Sequence, residues 1–312
     1  MKILVTGGAG YVGTSLIPVL LAADHEVVVF DSLMHNHNNG DALLPFFRNN
    51  NFSFIKGDIR DFKAVEAACN GKDVIVHLAA IVGLPACDVD PVVTESVNYD
   101  GTTNVSRACN SAQYVLYGST GSNYGEVTNQ VCTEETPLNP LSLYGTTKTR
   151  AEKYLMENNS CTAFRFATAF GLSPRLRLDL LVNDLTYQAV RNKFAVIYEA
   201  NFLRTFIHVY DMARVFLFAI NNREKMSGQV YNAGNESMNY SKHDVCEIIA
   251  SETGAKFDYA EVGSDGDKRN YVVSYEKIRN LGFNTTVTLL DGIREIIKGL
   301  EVIKIHNKYS NV

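Results

Sequence analysis

The sequence predicts an α/β protein, a doubly wound parallel sheet joined to a smaller α+β region. Three observations carry that expectation. Short, wholly apolar runs alternate with stretches of helical periodicity through the first half of the 312 residues. A glycine cluster stands between the first run and the first helical stretch. Beyond about residue 170 the alternation loosens. Strands buried on both faces read as continuous apolar runs, and repeated β-α-β units put helices on both faces of a parallel sheet.

Taken in order, the apolar runs are Ile3–Val5, Val27–Phe30, Phe52–Ile55, Val74–His77, Tyr114–Tyr117 and Ala163–Phe166, with Phe206–Val209 and Val230–Ala233 as later short strands. Residues 171–204 mix leucines with arginines, and 236–312 read as α+β. The expected division is a cofactor lobe of residues 1–170, to which 205–235 return, and a substrate lobe of 171–204 and 236–312. No repeat or linker separates them, so the lobes interleave.

Composition narrows the function classes. Hydrophobic residues make up 46%, charged residues 20%, and the net charge is -5. Without a basic block, nucleic acid is a poor partner. The six cysteines form no C-x-x-C pair and sit at no metal-ligand spacing, so no metal is expected and the thiols read as reduced and mostly buried. Cys87 is placed in a loop that faces the substrate. His35 and His37 lie in a polar loop and read as solvated. The opening apolar run is too short for a signal core, and no stretch approaches the ~20 apolar residues of a membrane span, so a cytoplasmic protein is expected.

Thr6–Gly13 follows the first strand, with Gly7, Gly10 and Gly13 spaced G-x-x-G-x-x-G. Glycines there allow a tight turn, close backbone approach to a pyrophosphate and close helix–sheet packing, and the next helix offers its N-terminal N–H groups to phosphate. That helix is read over Thr14–Ala23, with Pro18 expected to kink it. The dinucleotide site then takes Gly7, Gly10, Tyr11, Val12 and Gly13. Asp31, ending the second strand, suits the adenosine ribose hydroxyls and repels a 2′-phosphate, which points to NAD over NADP. Asp58 and Ile59 end the third strand near the adenine, and Leu78, Ala79 and Ala80 supply small residues after the fourth.

Tyr144 and Lys148 stand at i and i+4 of a helical pattern running to about Glu157, on one face and about 6 Å apart at Cβ. A tyrosine with a pKa of about 10 is a poor base at neutral pH. A nearby ammonium and a nicotinamide cation favour the phenolate. Lys148 also suits the nicotinamide ribose. The strand Tyr114–Tyr117 leads into Gly118–Gly125, which offers Ser119 and Thr120 as further hydroxyls.

Together these motifs resemble the extended short-chain dehydrogenase/reductase family, and within it the NAD-dependent nucleotide-sugar epimerases and dehydratases. The resemblance covers nearly the whole chain. It implies a Rossmann-type NAD domain, a nucleotide-diphosphate sugar as substrate, and a homodimer built on helices near Thr94–Ser111 and Tyr144–Glu157. Anchoring on Tyr124-Gly125 puts Thr120 in the catalytic hydroxyl slot and Ser119 just before it. Similar sugar 4,6-dehydratases carry Asp-Glu after that threonine. Here Gly121 and Ser122 follow, so 4,6-dehydration is disfavoured.

By the same resemblance Thr168, Asn183, Arg204 and Arg269 hold the substrate, with Thr168 where the family usually has Asn and Arg204 in a close match to R-x-x-I-H-V-x-D. Ser173–Asp184 further resembles bacterial GDP-heptose 4-dehydrogenases. The resemblance implies oxidation at C4 of the sugar, Tyr144 taking the hydroxyl proton and Thr120 bonding the oxygen, in an epimerase or a dehydrogenase. The alternative is a non-catalytic NAD sensor on the same fold.

Overall fold

The computed structural model describes residues 1–34, 40–127, 131–260 and 271–303. The first half alternates strand and helix: β1 (Lys2–Thr6), α1 (Tyr11–Ala22), β2 (Glu26–Asp31), β3 (Phe52–Lys56), α2 (Phe62–Cys69), β4 (Val74–His77), α3 (Leu84–Val89), α4 (Pro91–Glu95), α5 (Gly101–Ala108), β5 (Tyr114–Thr120), β6 (Val131–Cys132), α6 (Leu143–Asn158) and β7 (Cys161–Phe166). The second half continues with β8 (Thr168–Phe170), α7 (Leu181–Asn192), β9 (Phe194–Tyr198), β10 (Leu203–His208), α8 (Val209–Asn221), α9 (Arg223–Met226), β11 (Gln229–Ala233), β12 (Asn239–Ser241), α10 (Lys242–Thr253), β13 (Lys256–Ala260), β14 (Val272–Val273), α11 (Glu276–Arg279) and α12 (Leu289–Val302).

Seven strands form one parallel sheet in the order β11-β7-β5-β4-β1-β2-β3. The order reverses between β1 and β4, which opens a crevice at their carboxyl ends. The apolar runs have the physical basis expected of them. Ile3, Val5, Val27, Val29, Val74 and Val76 join the core under one face, while Leu4, Val28, Phe30 and Ile75 join the core under the other. Side chains alternate along a strand, so a strand covered on both faces must be apolar throughout.

The smaller elements have their own core, in which Phe170, Val182, Leu185, Phe206, Ile249 and Ile293 are buried. β8, β10 and β12 form a three-stranded sheet, and β9 pairs with β13. Within 205–235, β11 is the outer strand of the central sheet and α8 packs on α1, whereas β10 pairs with β8 and β12. α1 is continuous through Pro18. Two differences from the sequence reading matter for the site. β5 runs on to Thr120, so Ser119 and Thr120 are strand residues with alternating faces rather than loop residues. The leucine and arginine stretch contains a regular helix, α7, whose buried side is Val182, Asn183, Leu185, Thr186 and Ala189. No helix among the described residues is long and apolar enough to cross a membrane.

Candidate active site

The crevice is a cavity of about 500 Å³. Its wall includes Gly7, Gly10, Tyr11, Val12, Gly13, Asp31, Asp58, Ile59, Leu78, Ala79, Ala80, Ser119, Thr120, Tyr144, Lys148 and Thr168. The chain reaches it from the ends of β1 to β5, from the start of α6 and from the stretch after β7.

At the β1–α1 turn, Gly7 has φ 70°, and a Cβ there would lie 2.5 Å from the Ala79 nitrogen. The turn and the end of β4 are in backbone contact, which only glycine permits. A Cβ on Gly13 would meet Gly8 at 2.5 Å, which fixes how closely α1 lies over the turn. Gly10 caps α1 without a side-chain acceptor, and the first turn carries no acidic residue. The positive end of the helix therefore points into the cavity with no side-chain cap and no acidic residue of its own first turn. Asp31 accepts from the Ala9 N–H at 3.0 Å and the Leu33 N–H at 2.8 Å, and burial raises its pKa against the pull of those two bonds. Asp58 is forked by Arg60, which holds its carboxyl below the usual range. Tyr11 contributes backbone only. Its hydroxyl is buried and donates to the Gly171 carbonyl at 2.7 Å, tying α1 to the stretch after β8.

His77 closes the floor. Thr102 donates its hydroxyl proton to the Asn98 carbonyl, so it accepts from His77 Nε2–H at 2.9 Å. Nδ1 then accepts from Thr6 at 2.6 Å. Burial pulls His77 down to about 3, so the ring is a neutral spacer. One π-helical turn, Ser96–Asp100, interrupts the helical run between α4 and α5 and carries Asn98. Asn98 clamps both backbone groups of Ile81 and donates to Thr147 on α6 at 3.2 Å. That clamp, which sequence reasoning missed, locks the β4 end to the helix carrying Tyr144 and Lys148.

Tyr144 and Lys148 lie one turn apart at the start of α6, which Ser142 caps by accepting from the Gly145 N–H. The Lys148 ammonium sits 4.0 Å from the Tyr117 ring centre and is 3% exposed. Burial pulls it down to about 7, with Glu152 and Cys87 acting the other way. Ser119 and Thr120 are separated by their partners. Ser119 donates to Glu152 at 2.5 Å and accepts from Asn123, inside the buried pair Glu152–Arg165. A hydrogen bond to a charged group is worth about 1.5–3 kcal/mol, so freeing Ser119 is costly. Among the described residues Thr120 hydrogen-bonds only Ser122, the N–H at 3.1 Å and the hydroxyl at 3.2 Å, and both residues border the cavity. The site therefore holds Thr120 available and Ser119 committed.

Other residues fall elsewhere than the sequence placed them. Cys87 is not in a substrate-facing loop. It lies within α3, fully buried, with its thiol on the Ile81 carbonyl, and burial pushes it up to about 11. Asn183 does not line the cavity. It is fully buried and spends its amide on Gly171 and the Arg177 carbonyl. Arg204 is buried beside a smaller pocket that shares Phe166, Ala167 and Thr168 with the main cavity. Arg269, His35 and His37 lie outside the described residues. Arg175 and Arg177 also line the cavity. They stand in a segment the sequence marked out, yet their charge alone did not separate them from surface arginines.

The residues present fit a dinucleotide. The uncapped helix end, the glycine contact surface, a half-buried carboxylate at the end of β2 and a buried ammonium at the start of α6 share one cavity.

A family model described as the NAD dependent epimerase/dehydratase family matches residues 3–234. A putative UDP-glucose 4-epimerase of Methanocaldococcus jannaschii is 26% identical, over 96% of this chain and 98% of that protein. Among solved structures, Pal of Bacillus thuringiensis superposes with a TM-score of 0.87 at 25% identity, covering 97% of this chain and all of that one. A UDP-glucuronic acid 4-epimerase of Bacillus cereus, in complex with UDP-glucuronic acid and NAD, superposes with a TM-score of 0.86 at 26% identity, covering 96% and 100%.

Proposed function

As the chain belongs to the NAD dependent epimerase/dehydratase family, we propose that it is an NAD-dependent enzyme acting at C4 of a nucleotide-diphosphate sugar, as a 4-epimerase or 4-dehydrogenase. The observation that carries this is the convergence of Tyr144, Lys148 and Thr120 on the cavity that also receives the glycine turn and Asp31. Gly7, Gly10, Gly13, Asp31 and Lys148 would hold the cofactor, with Asp58, Ile59 and Leu78–Ala80 along its adenine and nicotinamide ends. Bound NAD supplies the acceptor for the C4 hydride.

Tyr144 takes the C4 hydroxyl proton, and Thr120 hydrogen-bonds that oxygen. Lys148 favours the phenolate whenever it carries its proton. Thr168 stands where the two pockets meet, and Arg204 offers its guanidinium to the diphosphate from the smaller one. Asn183 acts indirectly, by holding Gly171. The two carboxylates in the cavity wall, Asp31 and Asp58, end β2 and follow β3, away from Gly121 and Ser122. That arrangement supports C4 redox chemistry over elimination of water. Residues 1–170 with α8 and β11 of the returning stretch 205–235 make the cofactor lobe in this proposal, and 171–204 with the elements after 235 make the substrate lobe.

The test is a panel of UDP-, GDP-, CDP- and dTDP-sugars, read by reduced-nicotinamide absorbance and by product analysis. An epimerase forms an isomer with no net reduced cofactor, and a dehydrogenase accumulates reduced cofactor with a keto sugar. Tyr144→Phe and Thr120→Val should each lower turnover by roughly a hundredfold or more with NAD affinity retained. Ser119→Ala should keep most of the turnover and lower stability instead. A wild-type protein that binds NAD and changes no sugar, or an unaltered Tyr144→Phe, would leave a sensor.

A further inference from the structure

Arg175 lines the main cavity and is 7% exposed. Its Nη1 is buried without a hydrogen-bond partner, and no hydrogen bond reaches its guanidinium among the described residues. Burial depresses its pKa, and Arg177 beside it adds to the effect. The charges of Asp179 and Asp31 offset this in part, but neither carboxylate hydrogen-bonds the guanidinium. Asp179 is forked by Arg177, with Nε at 3.1 Å and Nη2 at 2.5 Å. Asp31 spends its two oxygens on the Ala9 and Leu33 N–H groups. A guanidinium whose Nη1 is held out of water without a partner is costly unless something supplies acceptors.

Its position says what kind of acceptor. Ser173 donates to the Tyr11 carbonyl at 2.7 Å and meets the Thr14 hydroxyl at 2.8 Å, and the Arg175 N–H reaches the same hydroxyl at 3.4 Å. Residues 173–175 are thus docked on the first turn of α1, whose uncapped end faces the cavity. Arg175 is absent from the wall of the smaller pocket, where Arg204 stands. A planar fork of donors beside an uncapped helix end suits a diphosphate.

We propose that Arg175 binds the diphosphate of the dinucleotide, reaching it from the stretch after β8 rather than from the glycine turn. The assignment rests on the cofactor reading above.

The experiment is isothermal titration of the full chain with NAD, ADP, adenosine and UDP, for the wild type, Arg175→Gln and Arg175→Lys, with thermal melts of each protein without ligand. Arg175→Gln should weaken NAD and ADP by roughly ten- to hundredfold while adenosine and UDP hold their wild-type affinity. Arg175→Lys should recover part of that loss. Without ligand, Arg175→Gln should melt at or above the wild type, since it removes a buried charge that Asp31 and Asp179 offset only in part. A lower melt with NAD affinity unchanged would make Arg175 structural and overturn the proposal. A loss confined to UDP would assign the arginine to the substrate and overturn it equally. Failure of the wild type to bind NAD would instead sink the cofactor reading beneath it.

Discussion

At the scale of single residues, partners decide role more than identity does. Ser119 and Thr120 are adjacent hydroxyls in one strand, yet Glu152 takes the first and the cavity receives the second. His77 and Lys148 share the Tyr117 ring, one stacked at 5.6 Å and the other a cation 4.0 Å from its centre, and burial pulls both toward neutrality. The lysine has a consequence for folding. Its folded pKa of about 7 lies below the ordinary value of 10.5. Between those values the unfolded chain holds the extra proton, so this group makes the protein more stable as pH rises through that window, and its full cost is present below about 7. Lys148→Met should therefore raise the melting temperature of the cofactor-free protein near pH 6, by an amount equivalent to at most roughly 5 kcal/mol. The gain should shrink toward pH 10. Melts showing a pH-independent difference, or a less stable variant at pH 6, would contradict the buried-ammonium account.

Elements position what residues perform. The glycine turn, the end of β4 and the start of α6 are locked by backbone contact at Gly7 and by the Asn98 clamp. Two glycines with similar backbone isolate the effect of surroundings. Gly7 has φ 70°, and a Cβ added there would stand 2.5 Å from the Ala79 backbone, whereas Gly71 has φ 67° and a Cβ there would meet nothing within 4 Å. Gly71→Ala should cost only the left-handed strain, about 1–2 kcal/mol. Gly7→Ala must also separate β1 from β4, and should abolish NAD binding together with a larger fall in melting temperature. Calorimetric melts and NAD titration of the two variants check this, and equal behaviour would show that the close approach is dispensable. The glycine spacing and the i, i+4 pair were legible in sequence because each is a local pattern. The extent of β5 was not, since Gly118 and Ser119 favour a turn on propensity, and pairing with β7 overrides that preference.

On the scale of the whole molecule, the cores on the two faces of the sheet border one cavity, and a buried network ties α6 to the sheet. Arg165 on β7 bridges Glu152 on α6, Tyr124 and the Glu134 carbonyl, and Tyr124 reaches Asn232 on β11. A homodimer built on the helices near Thr94–Ser111 and Tyr144–Glu157, as the resemblance implies, would use a face where the Arg150 guanidinium lies over the Tyr99 ring and Tyr154 meets that ring edge-on. Sedimentation equilibrium should return twice the chain mass at micromolar concentration, and a single-chain mass would remove that assembly. By itself the sequence determined the order of strands and helices, the dinucleotide turn, the preference for NAD and the Tyr144–Lys148 pair. Each is set by residues within one strand, one turn or one helical period. The tertiary structure alone decided that Ser119 is committed, that Asn183 is spent inside the protein and that Cys87 is buried. It alone set Arg175 beside the first turn of α1. Those outcomes depend on which segments meet, such as Thr14 and Ser173 across 159 residues, and hydrogen bonds between distant segments leave no periodic trace in the chain.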